Sequence, residues 1–281
     1  MDIQEAVRKR KSVRDYLNTS LSGELKEQVQ QIINEKVPVP FGNKPRFSLI
    51  ENQSLKSGEA VKIGTYGYIK GAKYFIAGAV ERKPMADFDY GYALETIILK
   101  LTTLGLGTCW LGGTLRRKDF AGPLGLAPDE YIPAITPVGI PAANERFFVK
   151  IQKLRVNPHK RKEFETLFFY NQPGILLEKE KTGRYEQALE MLRLSPSADN
   201  FQPWRAVFDS KGIFHFYLKR SKIMRTVIKT ADLQLIDLGI ALSHFDLTLK
   251  ENGIAGTWEQ TSGEAPLASG LEYVVSWKPV F

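Results

Sequence analysis

The stretch Ser195-Pro-Ser-Ala-Asp-Asn-Phe-Gln-Pro-Trp204 decides how this chain of 281 residues is interpreted. It follows an amphipathic run and precedes an apolar, β-prone run. The prolines and short polar residues between these runs predict a helix end and a structured loop that leads into a strand. Ser197 and Asn200 offer hydrogen bonds, and Phe201 and Trp204 offer flat apolar faces. This combination suits a flat heterocycle with polar edges; a capped turn in which Trp204 belongs only to the core is the alternative.

Residues 196–204, which we call the cover loop, resemble the PSxxNxQPW signature of the FMN-dependent nitroreductase family. In that family the loop comes from one subunit of a dimer and covers the flavin that the other subunit mainly holds. The resemblance implies that FMN is contacted by Pro196, Ser197, Ala198 and Asn200. In the family this signature lies near the N-terminus, whereas here it lies past the middle of the chain.

A basic segment, Arg8-Lys-Arg-Lys-Ser-Val-Arg14, follows a short predicted helix. Consecutive cations repel one another unless an anion lies between them, and an arginine guanidinium forks onto phosphate oxygens. A solvated basic helix end, favoured by the helix dipole, is the alternative. The segment resembles the RRSxRxF phosphate clamp of the same family. This implies contacts to the phosphate and ribityl chain of FMN by Arg10, Lys11 and Ser12. Arg14 is then expected near the pyrimidine edge, where a cation stabilises the anionic reduced flavin.

A third stretch, Gly105-Leu-Gly-Thr-Cys-Trp-Leu-Gly-Gly113, resembles the GLGTCWIGG motif of the family. In the family a backbone N–H of this segment faces flavin N5, so the resemblance implies that Leu111, Gly112 or Gly113 lies there. A donor at that point polarises the atom that accepts hydride. A dinucleotide-binding loop is excluded, because the last glycine of that motif is missing and the segment follows a helix. Cys109 is predicted to be a small core residue.

Two further segments are predicted to approach the cofactor. The glycine-rich stretch around Thr65 lets backbone come close to a ligand, with a surface loop as the alternative. The stretch 157–165 resembles the KRKPLEE tail of the family. This resemblance implies that Arg161, with His159 or Lys160, completes the phosphate clamp. A solvated tail is the alternative here.

The chain contains an internal repeat. Residues 89–110 and 237–258 align without gaps at a constant offset of 148, and eight of the 22 positions are identical. About one or two identities would arise by chance. Both segments have helical apolar spacing, and each carries a glycine, Gly105 or Gly253, where a helix C-cap belongs. The repeat narrows the resemblance to monomeric, internally duplicated nitroreductase-like proteins, in which two central helices pack within one chain.

This duplication explains the position of the cover loop. The first half, residues 1–171, has the basic clamp but only an outline of a cover loop, in which Asn43 and Pro45 remain. The second half, residues 172–281, has the intact cover loop and no counterpart of the clamp. An ordinary dimer has two equivalent sites. The complementary loss therefore predicts one FMN site per chain, built from both halves of a monomer that acts as a pseudo-dimer.

The composition is ordinary for a globular protein, with 43% hydrophobic and 25% charged residues. No apolar run is long enough to span a bilayer, the N-terminus lacks a signal peptide, and a single cysteine excludes an internal disulfide. These features predict a cytoplasmic protein without a membrane partner. The three histidines are not spaced as metal ligands, and the net charge of +8 lacks the interleaved aromatics of an RNA site. Neither a metal nor a nucleic acid is expected.

Together these patterns predict an α+β, nitroreductase-like fold with a sheet flanked by helices. The resemblance implies an FMN-dependent oxidoreductase that passes hydride from NAD(P)H through flavin N5 to an electron-poor small molecule by ping-pong kinetics. No catalytic side chain is required, because the flavin supplies the chemistry. A flavin-binding protein for storage or sensing, without turnover, is the alternative, and an open space over the flavin ring distinguishes the two.

Overall fold

The structure is a computed structural model, and it describes residues 2–52, 67–113, 115–144, 146–147, 149, 157, 160–221, 230–260, 265–266 and 269–280. Within these residues the α-helices are α1 (Ile3–Lys9), α2 (Gly23–Asn34), α3 (Ala86–Thr103), α4 (Lys118–Leu124), α5 (Phe164–Leu167), α6 (Glu186–Arg193) and α7 (Leu233–Glu251). The strands are β1 (Arg46–Glu51), β2 (Tyr74–Glu81), β3 (Gly107–Thr108), β4 (Glu130–Tyr131), β5 (Ile135–Gly139), β6 (Phe168–Tyr170), β7 (Trp204–Phe208), β8 (Phe214–Leu218), β9 (Gly256–Glu259) and β10 (Glu272–Pro279).

Two long helices, α3 and α7, occupy the interior. Both are buried around almost their whole circumference, which is the pattern of a core helix rather than a surface helix. Their contacts advance together along both helices. Oδ2 of Asp87 accepts from the Asp232 N–H near the start, and Glu95 meets His244 further on. The helices therefore lie side by side in the same direction, and they are the segments that align at the offset of 148.

One glycine from each helix allows this close packing. A Cβ atom on Gly239 would lie closer than 3.0 Å to the carbonyl oxygen of Phe88, and one on Gly91 would lie equally close to that of Ile236. Backbone atoms in a packed interior cannot move aside as the end of a flexible side chain can, so a larger residue must separate the helices. Gly91 and Gly239 are equivalent positions of the aligned segments.

The strands form two sheets that share these helices. The first sheet has the order β1-β2-β5-β3, with β4 paired to the end of β2, and all its pairs are antiparallel. The second has the order β6-β7-β8-β10-β9. Ile236 and Ile240 of α7 belong to the core of the first sheet, while Phe88 and Tyr92 of α3 belong to the core of the second. Each central helix therefore contributes apolar surface to both cores.

Strand β6 connects the two halves in another way. It precedes the predicted boundary at residue 171, yet residues 168–170 pair with residues 206–208 of β7 in the second sheet. This pair is parallel, whereas the other pairs of the sheet are antiparallel. A parallel pair requires a crossover connection, which here contains α6 and the cover loop. The boundary itself stays a prediction.

The ends of the central helices follow the sequence signal. Gly105 and Gly253 have φ angles of 75° and 70° directly beyond α3 and α7. This left-handed backbone after the last helical turn confirms the predicted C-terminal glycines. Cys109 is buried, as predicted for a core residue. Within the described ranges, none of the helices is both long and apolar enough to cross a membrane.

Candidate functional site

The basic segment after α1 runs along the edge of the first sheet. Ser12 pairs with Thr108 of β3, and the Val13 N–H donates to the Thr108 carbonyl oxygen at 2.8 Å. On its other side, the carbonyl oxygen of Arg14 accepts from the Lys70 N–H at 2.9 Å. Residues 12–14 are thereby fixed between β3 and the loop that contains Lys70. A segment held by backbone bonds on both sides can present its side chains at defined positions.

Arg10 is the buried cation of this segment, whereas Lys11 is exposed. The side chain of Arg10 is only 6% exposed, and its Nε lies 3.7 Å from Oε1 of Glu95. Its Nη1 is buried and has no hydrogen-bond partner within the described part of the chain. Leaving a buried polar group unpaired costs about 1–3 kcal/mol, and more for a charged group. This atom therefore favours an acceptor that the described residues do not provide.

A second guanidinium approaches Arg10 from the tail of the first half. Nε of Arg161 donates to the Leu194 carbonyl oxygen at 3.0 Å, and its Nη1 donates to Oδ1 of Asn200 at 3.2 Å. Burial lowers the pKa of Arg161 to about 10, and the positive charges of Arg10 and Arg193 contribute to the same shift. The structure thus brings Arg10 and Arg161 together, close enough for their charges to repel each other.

The cover loop is held in an unusual backbone conformation. Asp199, Asn200 and Gln202 have φ angles of 47°, 57° and 48°, a region that residues other than glycine rarely adopt. Oγ of Ser197 accepts from the Gln202 N–H at 2.8 Å and closes the turn. Such backbone strain costs about 1–3 kcal/mol per residue, and it persists where the surrounding contacts over-determine the conformation, often at ligand sites.

Asn200 and Gln202 fasten the tail of the first half to the cover loop. Nδ2 of Asn200 donates to the carbonyl oxygens of Asn157 and Lys160, at 2.9 and 2.8 Å. Oε1 of Gln202 accepts from the Lys162 N–H at 2.7 Å. A direct contact of Asn200 with FMN stays a prediction. In the structure the side chain of Asn200 holds the tail at residues 157 and 160. It thereby fixes the position of the guanidinium of Arg161.

We expect the substitution Asn200→Ala to lower the free energy of unfolding by about 1–2 kcal/mol more than Asp199→Ala does, as measured by urea denaturation. Both residues have positive φ, so both variants carry the backbone cost of a left-handed alanine. Only Asn200 also loses the bonds to the tail. Equal losses of stability in the two variants would contradict this assignment.

An aspartate on each central helix accepts hydrogen bonds from a loop. The Ala198 N–H donates to Oδ1 of Asp237 at 2.9 Å, whereas Oδ2 is buried without a partner among the described residues. At the equivalent position, Asp89 accepts from the backbone N–H groups of Phe41 and Asn43 and from Nδ2 of Asn43. The outline of a cover loop in the first half, which contains Asn43 and Pro45, is the remnant loop. It is held by three hydrogen bonds to Asp89, whereas the cover loop is held by one hydrogen bond to Asp237.

The carboxyl of Asp237 makes stability depend on pH. Burial raises its pKa from 3.8 to about 8. Between these values the folded protein keeps a proton that the unfolded chain releases, so the free energy of unfolding falls as the pH rises from about 4 to 8 and levels off above that. One such proton gives a slope of at most about 1.4 kcal/mol per pH unit.

The variant Asp237→Asn is expected to remove this contribution while it keeps an acceptor for the Ala198 N–H. Urea denaturation of both proteins at intervals between pH 5 and 9 measures the difference between their unfolding free energies. That difference should change steadily up to about pH 8, in favour of the asparagine variant as the pH rises. A difference that is constant with pH would show that Asp237 ionises normally.

The backbone around Gly112 lies where the first half meets the start of α7. The Gly112 carbonyl oxygen accepts from Nη2 of Arg117 at 3.0 Å, and Leu111 pairs with Ile135. A Cβ atom on Gly112 would come within 2.8 Å of Cδ2 of Leu233. The missing side chain therefore lets a residue of the second half approach the backbone of the first. Gly113, which follows, is exposed.

The aromatic residues of the cover loop differ in burial. Trp204 is fully buried in the core of the second sheet, so the capped-turn interpretation is correct for this residue and it offers no face to a ligand. Phe201 is 42% exposed. Pro196 is half-buried. Two residues assigned to the site or its surroundings, Thr65 and His159, lie outside the described residues.

Sequence patterns do not single out two buried residues beside Arg10. Glu95 of α3 and His244 of α7 are both fully buried, and Oε1 of Glu95 lies 2.9 Å from Nε2 of His244. The available signal was a carboxylate and a histidine within helices that are otherwise apolar. Such residues are ordinarily assigned to a solvated helix face. Among the described residues, no group of three potential ligands is placed to hold a metal ion.

Two sheets that share a pair of central helices define the α+β fold of the nitroreductases. The chain belongs to the family whose model carries the description "Putative TM nitroreductase", which matches residues 2–249. No curated protein sequence matches the chain significantly.

A solved structure of similar length agrees with this fold. The crystal structure of a protein from Thermotoga maritima, described as "a putative nitroreductase", is 22% identical, covers 99% of this chain and 93% of that chain, and has a TM-score of 0.61. An FMN-dependent nitroreductase from Clostridium difficile is 18% identical and covers 50% of this chain and 88% of its own, with a TM-score of 0.40. A nitroreductase with bound FMN from Bacteroides fragilis is 17% identical. The match covers 52% of this chain and 92% of that chain, with a TM-score of 0.40.

Proposed function

We propose that the chain is an FMN-dependent oxidoreductase with one cofactor site built from both halves. The observation that carries this proposal is the convergence of two cations of the first half, Arg10 and Arg161, beside the cover loop of the second. Two guanidinium groups are suited to bind a phosphate monoester. Membership of a nitroreductase family supports FMN as the molecule that carries this phosphate.

The described residues fit such a group. The buried Nη1 of Arg10 is a donor without a partner in this part of the chain, which is expected where a ligand completes a site. The hydroxyl of Ser12 lies on the same fixed segment. The cover loop keeps a strained conformation in which its Asn200 holds the neighbouring guanidinium in place.

The protein would bind and orient the cofactor. Arg10, Ser12 and Arg161 would hold the phosphate, and the backbone near Gly112 would supply a donor at the reactive end. Arg14 would stabilise negative charge at the pyrimidine edge. When bound, FMN supplies two-electron chemistry, so that reducing equivalents pass from NAD(P)H to an electron-poor small molecule. Donor and acceptor would use the same face in turn, which gives ping-pong kinetics, and no side chain need act as an acid or base.

A single site per chain is supported by the first-half remnant of the cover loop. Asp89 holds this remnant by three hydrogen bonds. Within it, Phe41 packs edge-to-face on Phe88, with ring centroids 5.1 Å apart. We propose that residues 1–171 and 172–281 are the two copies, that the site related by pseudo-symmetry is closed, and that the chain functions as a monomer.

The visible spectrum of the purified chain, loaded with FMN and then denatured to release the flavin for quantification, tests this proposal. One FMN per chain is expected. Two per chain would contradict the single composite site, and none would contradict FMN binding altogether. Anaerobic addition of NADH or NADPH is then expected to bleach the flavin absorbance. Flavin that is bound but is reduced by neither nucleotide would favour a storage or sensing protein.

A further inference from the structure

A buried cluster of ionisable groups joins the two halves directly behind Arg10. Oε1 of Glu95 lies 2.9 Å from Nε2 of His244 and 3.7 Å from Nε of Arg10. Oε2 of Glu95 accepts from Nε1 of Trp110 at 2.6 Å. Nδ1 of His244 lies 3.1 Å from the carbonyl oxygen of Met191, close to the end of α6. Glu95 and His244 are both fully buried, so each depends on these partners.

The hydrogen bonds of His244 fix the total charge of the pair. A carbonyl oxygen only accepts, so Nδ1 carries a hydrogen and donates it to Met191. The contact between Nε2 and Glu95 requires one further proton, either on the imidazole or on the carboxyl, because two lone pairs would otherwise face each other. An imidazolium paired with a carboxylate and a neutral imidazole paired with a carboxylic acid have the same total charge, which is zero. Glu95 and His244 together are therefore neutral.

Within the described residues, this neutrality leaves the charge of Arg10 uncompensated. Without the shared proton, the carboxylate of Glu95 would neutralise Arg10 across 3.7 Å, in a buried place where charges interact strongly. With that proton held by the pair, Arg10 and Arg161 present two positive charges to the site. A phosphate monoester carries about −1.5 to −2 charges at pH 7, so the two guanidinium groups match its charge.

The charge of Arg193, a further cation near Arg161, does not change this charge balance. Arg193, whose charge acts on the pKa of Arg161, is itself paired with Glu190, with 2.7 Å between Nε and Oε2. Its charge is therefore largely compensated on the surface of α6.

The neutral pair occurs on one side of the pseudo-symmetric molecule. At the offset of 148, Glu95 corresponds to Ser243, and His244 corresponds to Thr96. Neither serine nor threonine ionises, so the related position has no such pair. The second half also lacks the basic clamp. The pair and the clamp thus occur together, which a role in packing the two helices alone does not explain.

We propose that His244 is a positioning residue for phosphate recognition. By sharing a proton with Glu95, it reserves the charges of Arg10 and Arg161 for a phosphate monoester dianion. The site thereby prefers FMN to riboflavin, which has the same ring system and no phosphate. This inference rests on the proposed function, and it assigns to a residue of the second half, remote from the ligand itself, a part in choosing that ligand.

The test is the ratio of the dissociation constants for riboflavin and FMN, measured by flavin fluorescence titration of the apoprotein. In His244→Gln, the amide still donates to Glu95 but brings no proton to share, so the carboxylate neutralises Arg10. The preference for FMN is expected to fall about 10- to 100-fold, while riboflavin affinity changes less than about threefold. The double variant His244→Gln with Glu95→Gln removes the carboxylate as well, and it should restore the preference.

The outcomes separate this inference from the proposed function. A wild-type protein that binds neither flavin contradicts the proposed function. An unchanged ratio in His244→Gln, or a double variant that stays impaired, overturns the role of His244. If His244→Gln does not fold, as judged by circular dichroism, the single variant Glu95→Gln decides. It should keep the FMN preference, because Arg10 retains its charge, and loss of that preference would show that Glu95 only holds Arg10 in place.

Discussion

Replacing Gly239 with alanine is expected to lower the free energy of unfolding by about 2–4 kcal/mol. The added Cβ would lie closer than 3.0 Å to the carbonyl oxygen of Phe88, and within 3.0 Å of the backbone nitrogen of Tyr92. These are backbone atoms of α3, so relief requires the two central helices to separate. Both cores then lose packing, because each helix contributes to both. The loss should exceed the gain of about 1 kcal/mol in helix propensity when alanine replaces glycine.

The matched control is Gly23→Ala in α2, where nothing lies within 4 Å of the added Cβ. This variant makes the same chemical change at the first residue of a helix, and the residue that follows is Glu24, not a proline. It should change stability by less than about 1 kcal/mol, or increase it. Urea denaturation of the two variants beside the wild type gives the comparison. If both variants were equally stable, the close approach of α3 and α7 would be wrong.

The substitution Arg10→Met is expected to weaken FMN binding by about 100-fold. It would remove the charge-assisted pair of hydrogen bonds that we propose between Arg10 and the phosphate, worth about 1.5–3 kcal/mol each, and it keeps the apolar stem of the side chain. Glu95 keeps its bonds to His244 and Trp110, so no buried charge is left alone and the fold should persist. Isothermal titration calorimetry with FMN measures the effect.

Arg8→Met provides the control for Arg10→Met. Arg8 lies in the last turn of α1, is exposed, and carries the same charge two positions earlier. Its replacement changes the net charge of the chain by the same amount as Arg10→Met does. Solvent-exposed charges further than about 8–10 Å from a ligand are largely screened by salt. FMN affinity should therefore fall less than about threefold. Similar losses in the two variants would mean that general attraction, rather than the buried guanidinium, binds the phosphate.

Local signals in the sequence predict much of the architecture. The glycines after the central helices mark helix ends correctly, because only a left-handed residue closes that turn without strain. The loop at residues 196–204 follows α6 and leads into β7, as its prolines and short polar residues predict. The aligned helices pack side by side. These features depend on residues that are adjacent in sequence or on an internal repeat, and both can be identified from the sequence alone.

Other features depend on partners distant in sequence. The cover loop predicts that Asn200 contacts a ligand, and it gives no sign that the same amide binds the chain at residues 157 and 160. Glu95 and His244 are 149 positions apart, and only the packing of their helices makes them partners. Composition also does not tell whether Trp204 faces a ligand or the core. In each case the tertiary packing determines the partners of the side chain, and the residues adjacent to it in sequence do not specify that packing.

The parallel pairing of β6 with β7 has a consequence for how the molecule can be taken apart. A protease cut in the turn after Tyr170, or expression of the halves as separate polypeptides, would leave the strand of one piece inserted in the sheet of the other. Two pieces joined by such strand exchange stay associated after the covalent link is lost, as domain-swapped subunits do. The covalent link then mainly ensures that each first half meets its own second half, by raising their effective concentration.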